Sequence, residues 1–214
     1  MRLVLARHGR STANVARILD SAPPGAPLDE LGREQAAQLG ERLAARPVRA
    51  VHASRALRAQ QTAEPVAAAH GLPVDVVDGV QEVFLGDLEG RSGPDALAAF
   101  DDVYAAWWRG DLDARLPGGE SALDVRARYL PAVERIVAGA AGNGDVVLVS
   151  HGAAIRLVAA ALLGDTAETW YVPNSGLVVL RRNPAGAGLA GWVLESWDTA
   201  APVPGDVTAG GTPD

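Results

Sequence analysis

Two histidines stand in matching settings. Val4-Leu5-Ala6-Arg7-His8-Gly9 and Val147-Leu148-Val149-Ser150-His151-Gly152 share one design: an apolar run, one polar residue, a histidine and a glycine. In open α/β sheets ligands sit outside the carboxyl ends of the strands, which is where both histidines fall if the apolar runs are strands. Each glycine lets the backbone turn sharply and lets a ligand approach closely. The residues after it can begin a helix, whose free N–H groups favour an anion. A lone histidine beside a strand is ordinarily structural, but here two of the four histidines share one setting. His70 shows the contrast: it precedes Gly71 at an expected helix C-terminus, where the helix dipole favours it. His52, inside Val51-His52-Ala53, reads as a packing or supporting residue. Arginines flank these places. Arg7 precedes His8, Arg10 follows the first glycine, and Arg58 lies near the start of the helix after a second strand. Guanidinium groups grip phosphate in a bidentate fork and stay charged at any working pH, so the pattern points to a phosphate-binding site.

Composition narrows the chemistry. All nineteen basic residues are arginine, which excludes a Schiff-base lysine, a pyridoxal-phosphate lysine and the lysine of a Walker-A loop. There is no cysteine, so thiolate nucleophiles, disulfides and cysteine zinc sites are excluded too. A net charge of −7 argues against non-specific nucleic-acid binding, and any positive field for an anionic substrate must be local. No stretch is long and apolar enough to span a bilayer. The run Leu3-Val4-Leu5-Ala6 is too short for a signal-peptide core, so a cytoplasmic location is expected.

The elements that would position these residues follow from periodicity. Leu3 to Ala6, Val48 to Ala53, Val74 to Val77 and Asp145 to Val149 are short apolar runs that predict strands. Further strands are expected near Gly176 to Leu180 and Gly191 to Trp197. Helical spacing covers Leu28 to Ala45, Arg55 to His70, Glu120 to Gly139 and Ala153 to Leu163, with another helix through Phe100 and Trp107. Strands that alternate with helices and read as apolar on both faces imply an α/β fold, a three-layer sandwich with a mostly parallel central sheet and helices on both faces. Residues 1–199 are expected to form one catalytic domain. Residues 200–214, rich in Pro, Gly, Ala and Thr, read as a loose tail.

Taken in order, these residues resemble the histidine phosphatase superfamily, in its phosphoglycerate-mutase-like branch. Arg7-His8-Gly9 with Asn14 matches its opening motif, and Leu28-Asp29-Glu30-Leu31-Gly32-Arg33-Glu34-Gln35-Ala36 its turn into the first long helix. Ser54 with Arg58-Ala59-Gln60-Gln61-Thr62-Ala63 is similar to the second motif, and Glu82 with Gly86-Asp87-Leu88-Glu89-Gly90 to the acid-bearing loop. Pro117-Gly118-Gly119-Glu120-Ser121, Ser150-His151-Gly152 and Asn174-Ser175-Gly176 match later blocks, so the likeness runs from Leu3 to about Trp197.

The resemblance implies a phosphatase acting on a small phosphorylated metabolite. His8 would attack phosphorus to form a phosphohistidine, and nearby arginines would keep it neutral. Arg7, Arg58 and His151 would hold the phosphoryl oxygens. Glu82 would be the general acid, then the base that activates water. Asn14, Gly152 and Arg10 complete the expected substrate contacts, with no metal and no cofactor. Arg10 stands where many members carry Glu or Gln, Arg55 replaces a common acidic residue, and His52-Ala53 replaces small or aromatic ones; these departures bear on the substrate. Tyr104, Trp107 and Trp108 fall where the site would be capped, and either stack on a ligand or bury a helix face.

Three other readings stand beside this one. Phosphoglycerate mutases of the family usually follow the acid with Arg-His-Tyr-Gly and carry a longer insertion, whereas Glu82 is followed by Val83-Phe84-Leu85-Gly86 and a short segment. A non-enzymatic sensor of a phospholigand would keep the same pocket. A zinc hydrolase would need ligand spacing that His8 and His151 lack. A homodimer is left open by the sequence.

Overall fold

The structure is a computed structural model that describes residues 1–140, 142, 144–165, 169–183 and 191–199. The expected tail, residues 200–214, lies outside the described residues. The order is β1 (Arg2–Arg7), α1 (Thr12–Ala16), α2 (Glu30–Leu43), β2 (Val48–Ser54), α3 (Leu57–His70), β3 (Val74–Val77), α4 (Pro94–Trp108), α5 (Ala122–Gly139), β4 (Asp145–Ser150), α6 (Gly152–Leu163), β5 (Leu177–Arg182) and β6 (Trp192–Trp197).

The strands form one sheet in the order β3-β2-β4-β1-β5-β6. β3, β2, β4 and β1 run parallel to one another, while β5 is antiparallel to both β1 and β6. Side chains alternate across each strand, and this splits the core in two. Val4, Ala6, Val147 and Val149 meet α2 and α3 on one face, through Leu39, Leu43, Ala59 and Val66. Leu3, Leu5, Val146 and Leu148 meet α4, α5 and α6 on the other, through Phe100, Tyr129, Ile155 and Leu157. The sandwich and the mostly parallel sheet are therefore as the periodicity implied.

The central strands β1 and β4 are buried along nearly their whole length, as the apolar runs demanded. The reading of every strand as apolar on both faces fails at the edges: Asp75 and Val76 of β3 are exposed, as are Val193, Glu195 and Ser196 of β6. Only a central strand is covered from both sides, and polar residues on an edge discourage pairing with another chain. His70 closes α3 as expected, with Gly71 as its left-handed cap at φ 64°, and its ring nitrogen Nε2 contacts the Leu43 carbonyl at 3.1 Å.

Candidate active site

The repeat acquires its meaning from the register of β1 and β4. These strands are parallel neighbours with Arg7 opposite Ser150, so the next residue of each is a histidine at the same end of the sheet. The rings of His8 and His151 lie 5.1 Å apart between centroids. The main chain at His8 is held from both sides. Its N–H donates to the Ser150 carbonyl at 3.0 Å, and its carbonyl accepts from Asn174 Nδ2 at 3.0 Å and from the Ser175 N–H at 3.3 Å. Gly9 is required by a close approach: a Cβ there would lie 2.5 Å from the Gly32 carbonyl oxygen, and one on Gly32 would lie 1.9 Å from that of Arg10. Backbone thus packs on backbone where the turn after β1 meets the first turn of α2.

Hydrogen bonds set the tautomers. His8 Nδ1 donates to the Gly9 carbonyl at 2.7 Å, so its proton resides there and Nε2 carries the lone pair. That lone pair accepts from Arg58 Nε at 3.1 Å. Arg58 also donates through Nη2 to His151 Nδ1 at 3.3 Å, which leaves His151 Nε2 to donate to Ser54 Oγ at 2.7 Å. One buried guanidinium therefore bridges both rings. Burial pushes the pKa of each histidine well below the ordinary imidazole value, and the charges of Arg58 and Arg7 push it further down. Both rings are neutral at pH 7.

Those neutral rings have a consequence for folding. Each takes up a proton on unfolding at a pH below about 6.5, so there the unfolded chain binds more protons and stability falls as pH falls. The expected loss is on the order of 1 kcal/mol per histidine per pH unit below that value. It is measured as urea midpoints at pH 7.5 and 5.5 for the wild type and for His151→Asn. The variant should lose less on acidification; equal losses in the two proteins would refute the assignment of His151 as buried and neutral.

Arg58 is itself oriented from several directions. Its Nη1 donates to Asp20 Oδ2 at 3.0 Å and its Nη2 to the Asp20 carbonyl at 2.8 Å. Thr62 Oγ1 donates to the Arg58 carbonyl at 2.7 Å and accepts from the Gly9 N–H at 3.0 Å, which ties the first turn of α3 to the loop that carries His8. Glu82 reaches the same cleft from the segment after β3. Its Oε1 accepts from the N–H groups of Val83 (3.0 Å) and Ala154 (2.9 Å), and Oε2 from Ala153 at 3.3 Å. The carboxyl group thus sits on the N-terminus of α6, directly after His151, where free N–H groups point outward.

The loop that carries Glu82 is braced by Arg128, which donates to the carbonyls of Gly79, Gln81 and Glu82 at 2.8–2.9 Å. Arg128 also forks onto Glu120, with both contacts at 2.7 Å, and Glu120 accepts from the Phe84 N–H at 2.9 Å. Gly86, at φ 56°, has room only for hydrogen, since a Cβ would lie 2.2 Å from the Pro117 carbonyl oxygen.

The structure brings His8, Asn14, Arg58 and Glu82 together around one cleft, which Asp20, Ser21 and Phe100 also line. His151 lies against it through Arg58. Asn14 Oδ1 accepts from the Ser11 N–H in a capping box on α1, so its amide N–H groups are the donors it can offer. Arg7 is fully buried and is not among the lining residues. Its Nη1 donates to Tyr171 Oη at 2.6 Å and to the Val172 carbonyl at 2.9 Å. Its effect on the two histidines is electrostatic. Gly152 gives Arg7 its space: a Cβ there would lie 3.3 Å from Arg7 Nε.

Arg10 is not brought to the cleft. Its Nη2 and Nε pair with Asp29 Oδ2 at 2.6 and 2.8 Å, and Asp29 caps α2. Tyr104 and Trp107 bury a face of α4. Trp108, partly buried, is covered by the Arg156 guanidinium 4.0 Å from its ring centre, so these rings pack instead of offering a stacking platform. Sequence reasoning missed Asp20, Thr62 and the bond from His151 to Ser54. Ser54 and Thr62 lay inside a recognised motif, whereas Asp20 carries no local signal in Leu19-Asp20-Ser21.

Among the described residues no three histidine, aspartate or glutamate side chains are grouped to hold a metal ion, and no helix is long and apolar enough to cross a membrane. Across residues 3–195 the chain matches the profile of the histidine phosphatase superfamily (branch 1). It is 35% identical to a glucosyl-3-phosphoglycerate phosphatase of Mycolicibacterium vanbaalenii over 96% of this chain and 98% of that one. It is 36% identical to a 2,3-bisphosphoglycerate-dependent phosphoglycerate mutase of a Methylobacterium species over 78% of this chain and 83% of that one. A solved mycobacterial glucosyl-3-phosphoglycerate phosphatase, in complex with VO3, superposes with a TM-score of 0.78 at 31% identity, covering 93% of this chain and 99% of that one.

Proposed function

The chain belongs to branch 1 of the histidine phosphatase superfamily, and from that premise we propose that it hydrolyses a small phosphomonoester through a phosphohistidine on His8. The observation that carries the reading is the state of His8. Its proton is fixed on Nδ1 by Gly9, and its Nε2 lone pair is turned toward Arg58 in the cleft.

Binding of a phosphoryl group gives the Arg58 donors better acceptors than two ring nitrogens, because charge-assisted bonds to phosphate oxygens are the stronger ones. The guanidinium then grips the phosphoryl oxygens and releases the lone pair of His8. Nε2 attacks phosphorus, the bond from phosphorus to the ester oxygen breaks, and the departing oxygen takes the proton of the Glu82 carboxylic acid. Glu82, now a carboxylate, accepts a proton from water. That water attacks phosphorus, the P–N bond breaks and phosphate leaves, restoring neutral His8. Arg58, with the charge of Arg7 behind the histidines, stabilises the negative charge spread over the phosphoryl oxygens in both steps. The Asn14 amide completes the contacts, while His151 supports the guanidinium of Arg58 from behind.

The test is turnover of p-nitrophenyl phosphate by protein dialysed against a strong chelator. Activity should persist, and vanadate should inhibit it as a mimic of the transferring group. Loss with chelator, restored by zinc or magnesium, would replace this reading with a metal-dependent hydrolase. Absence of turnover would leave a phospholigand sensor. Relatives include mutases, so 3-phosphoglycerate with a catalytic amount of the bisphosphate is the second arm. Isomerisation faster than phosphate release by orders of magnitude would make the protein a mutase.

A further inference from the structure

The phosphoryl corner of the cleft is built from His8, Arg58 and Glu82; the rest of its wall receives the alcohol that is released. That wall is largely apolar, through Ala13, Ile18, Leu19, Leu85 and Phe100, with Ser11, Asn14 and Ser21 as its uncharged polar side chains. Its charges are few. Arg58 is the arginine among the lining residues, and Asp20 and Glu82 carry its carboxyl groups, of which Glu82 is the proton donor. The sequence has no lysine, and all of its arginines fall within the described residues, so no further basic side chain lines this cleft.

Arg58 is already half engaged, because Asp20 Oδ2 holds Nη1 at 3.0 Å and the Asp20 carbonyl holds Nη2 at 2.8 Å. The Asp20 carboxylate is fixed in turn by the Ala26 N–H at 2.8 Å. Arg10, the residue best placed in sequence to receive a second anion, is spent on Asp29 outside the cleft. A second negative group on the substrate would meet apolar side chains, the uncharged Ser11, Asn14 and Ser21, and the Asp20 carboxylate, with no second guanidinium to pair it. An unpaired charge in such surroundings is costly, and like charges raise that cost.

We infer that the substrate is the phosphate ester of an uncharged alcohol or phenol with an apolar face, and that carboxylated phosphoesters and bisphosphates are selected against. This rests on the phosphatase reading above. Asp20 is then a specificity-determining residue: it takes up the spare half of the Arg58 fork and repels a second anion.

The test compares phenyl phosphate with 4-carboxyphenyl phosphate, which differ by one carboxylate, and adds 3-phosphoglycerate. Wild type should favour phenyl phosphate over the carboxylated ester by at least about tenfold in kcat/KM, chiefly through KM, since uniform loss of binding raises KM alone. Asp20→Asn should shrink that ratio severalfold, and Phe100→Ala should lower kcat/KM for phenyl phosphate more than for 3-phosphoglycerate. Equal or better turnover of the carboxylated esters by wild type would overturn the inference and leave the phosphatase reading intact. An unchanged ratio in Asp20→Asn would overturn the role of Asp20. No turnover of any ester, p-nitrophenyl phosphate included, would instead overturn the phosphatase reading and this inference with it.

Discussion

His8→Ala forms no phosphoenzyme and turns over phosphomonoesters at least about 10⁴-fold more slowly than wild type. Losing a catalytic nucleophile costs on the order of 10⁶-fold in a well-studied case, with binding and electrostatics leaving a residual rate. Here the residual would come from Arg58, which remains to polarise the phosphoryl group for direct attack by water. Rapid quench with labelled substrate should trap an acid-labile, alkali-stable phosphoenzyme in the wild type and none in the variant. The variant must also be shown to be folded, because truncating His8 takes the acceptor from Arg58 Nε and leaves a buried donor, a loss of about 1–3 kcal/mol. Vanadate binding serves as that control, since the Arg58 fork is still present. A fully active His8→Ala protein, or label recovered on a serine, would remove His8 from the chemistry.

Much of this was legible in the sequence because it depends on local pattern. Apolar runs mark strands whatever their partners, and a repeated strand-His-Gly phrase marks two equivalent strand ends. What pattern could not supply was the pairing of β1 with β4, which sets Arg7 opposite Ser150 and so makes the two histidines neighbours. The same limit explains Arg7 and Arg10. Both were expected at the substrate by position, and the partners of a long side chain are set by distant segments. Arg7 turns to Tyr171 and Val172, and Arg10 to Asp29. Asp20 was invisible for the same reason, since its partner is 38 positions away. The reversed direction of β5 was likewise beyond an apolar run, which looks the same read from either end. Glu82 was found by its motif, yet the support beneath it, Arg128 gripping three carbonyls and Glu120, joins segments that only the fold brings together.

Glu82→Gln separates proton donation from positioning, and its effect should depend on the leaving group. The carboxyl group is held chiefly through Oε1, which accepts from Val83 and Ala154 at 3.0 and 2.9 Å, while Oε2 has the longer contact, 3.3 Å from the Ala153 N–H. A glutamine can keep the two short bonds with its carbonyl oxygen and place its amide nitrogen at the Oε2 position, giving up only the long bond from the Ala153 N–H. The variant therefore preserves shape and removes the acidic proton. An alkoxide is a poor leaving group and needs that proton, so alkyl phosphates should be phosphorylated onto His8 more slowly by about 10²–10⁴-fold, the usual scale of general acid–base help. p-Nitrophenolate leaves with little assistance, so its ester should lose far less in the same step. Arg58→Ala provides the contrast, because the contacts it removes are made to the phosphoryl group that both esters share. It should slow both alike. The comparison has to be made on single-turnover phosphorylation, since in the proposed mechanism Glu82 is also the base for the water that attacks the phosphohistidine. Slow dephosphorylation would mask the leaving-group effect in steady-state rates and would appear as a phosphoenzyme that accumulates in the variant. Equal slowing of the two esters in the first step would make Glu82 a positioning residue on the N-terminus of α6, and the proton would have to come from another group in the cleft.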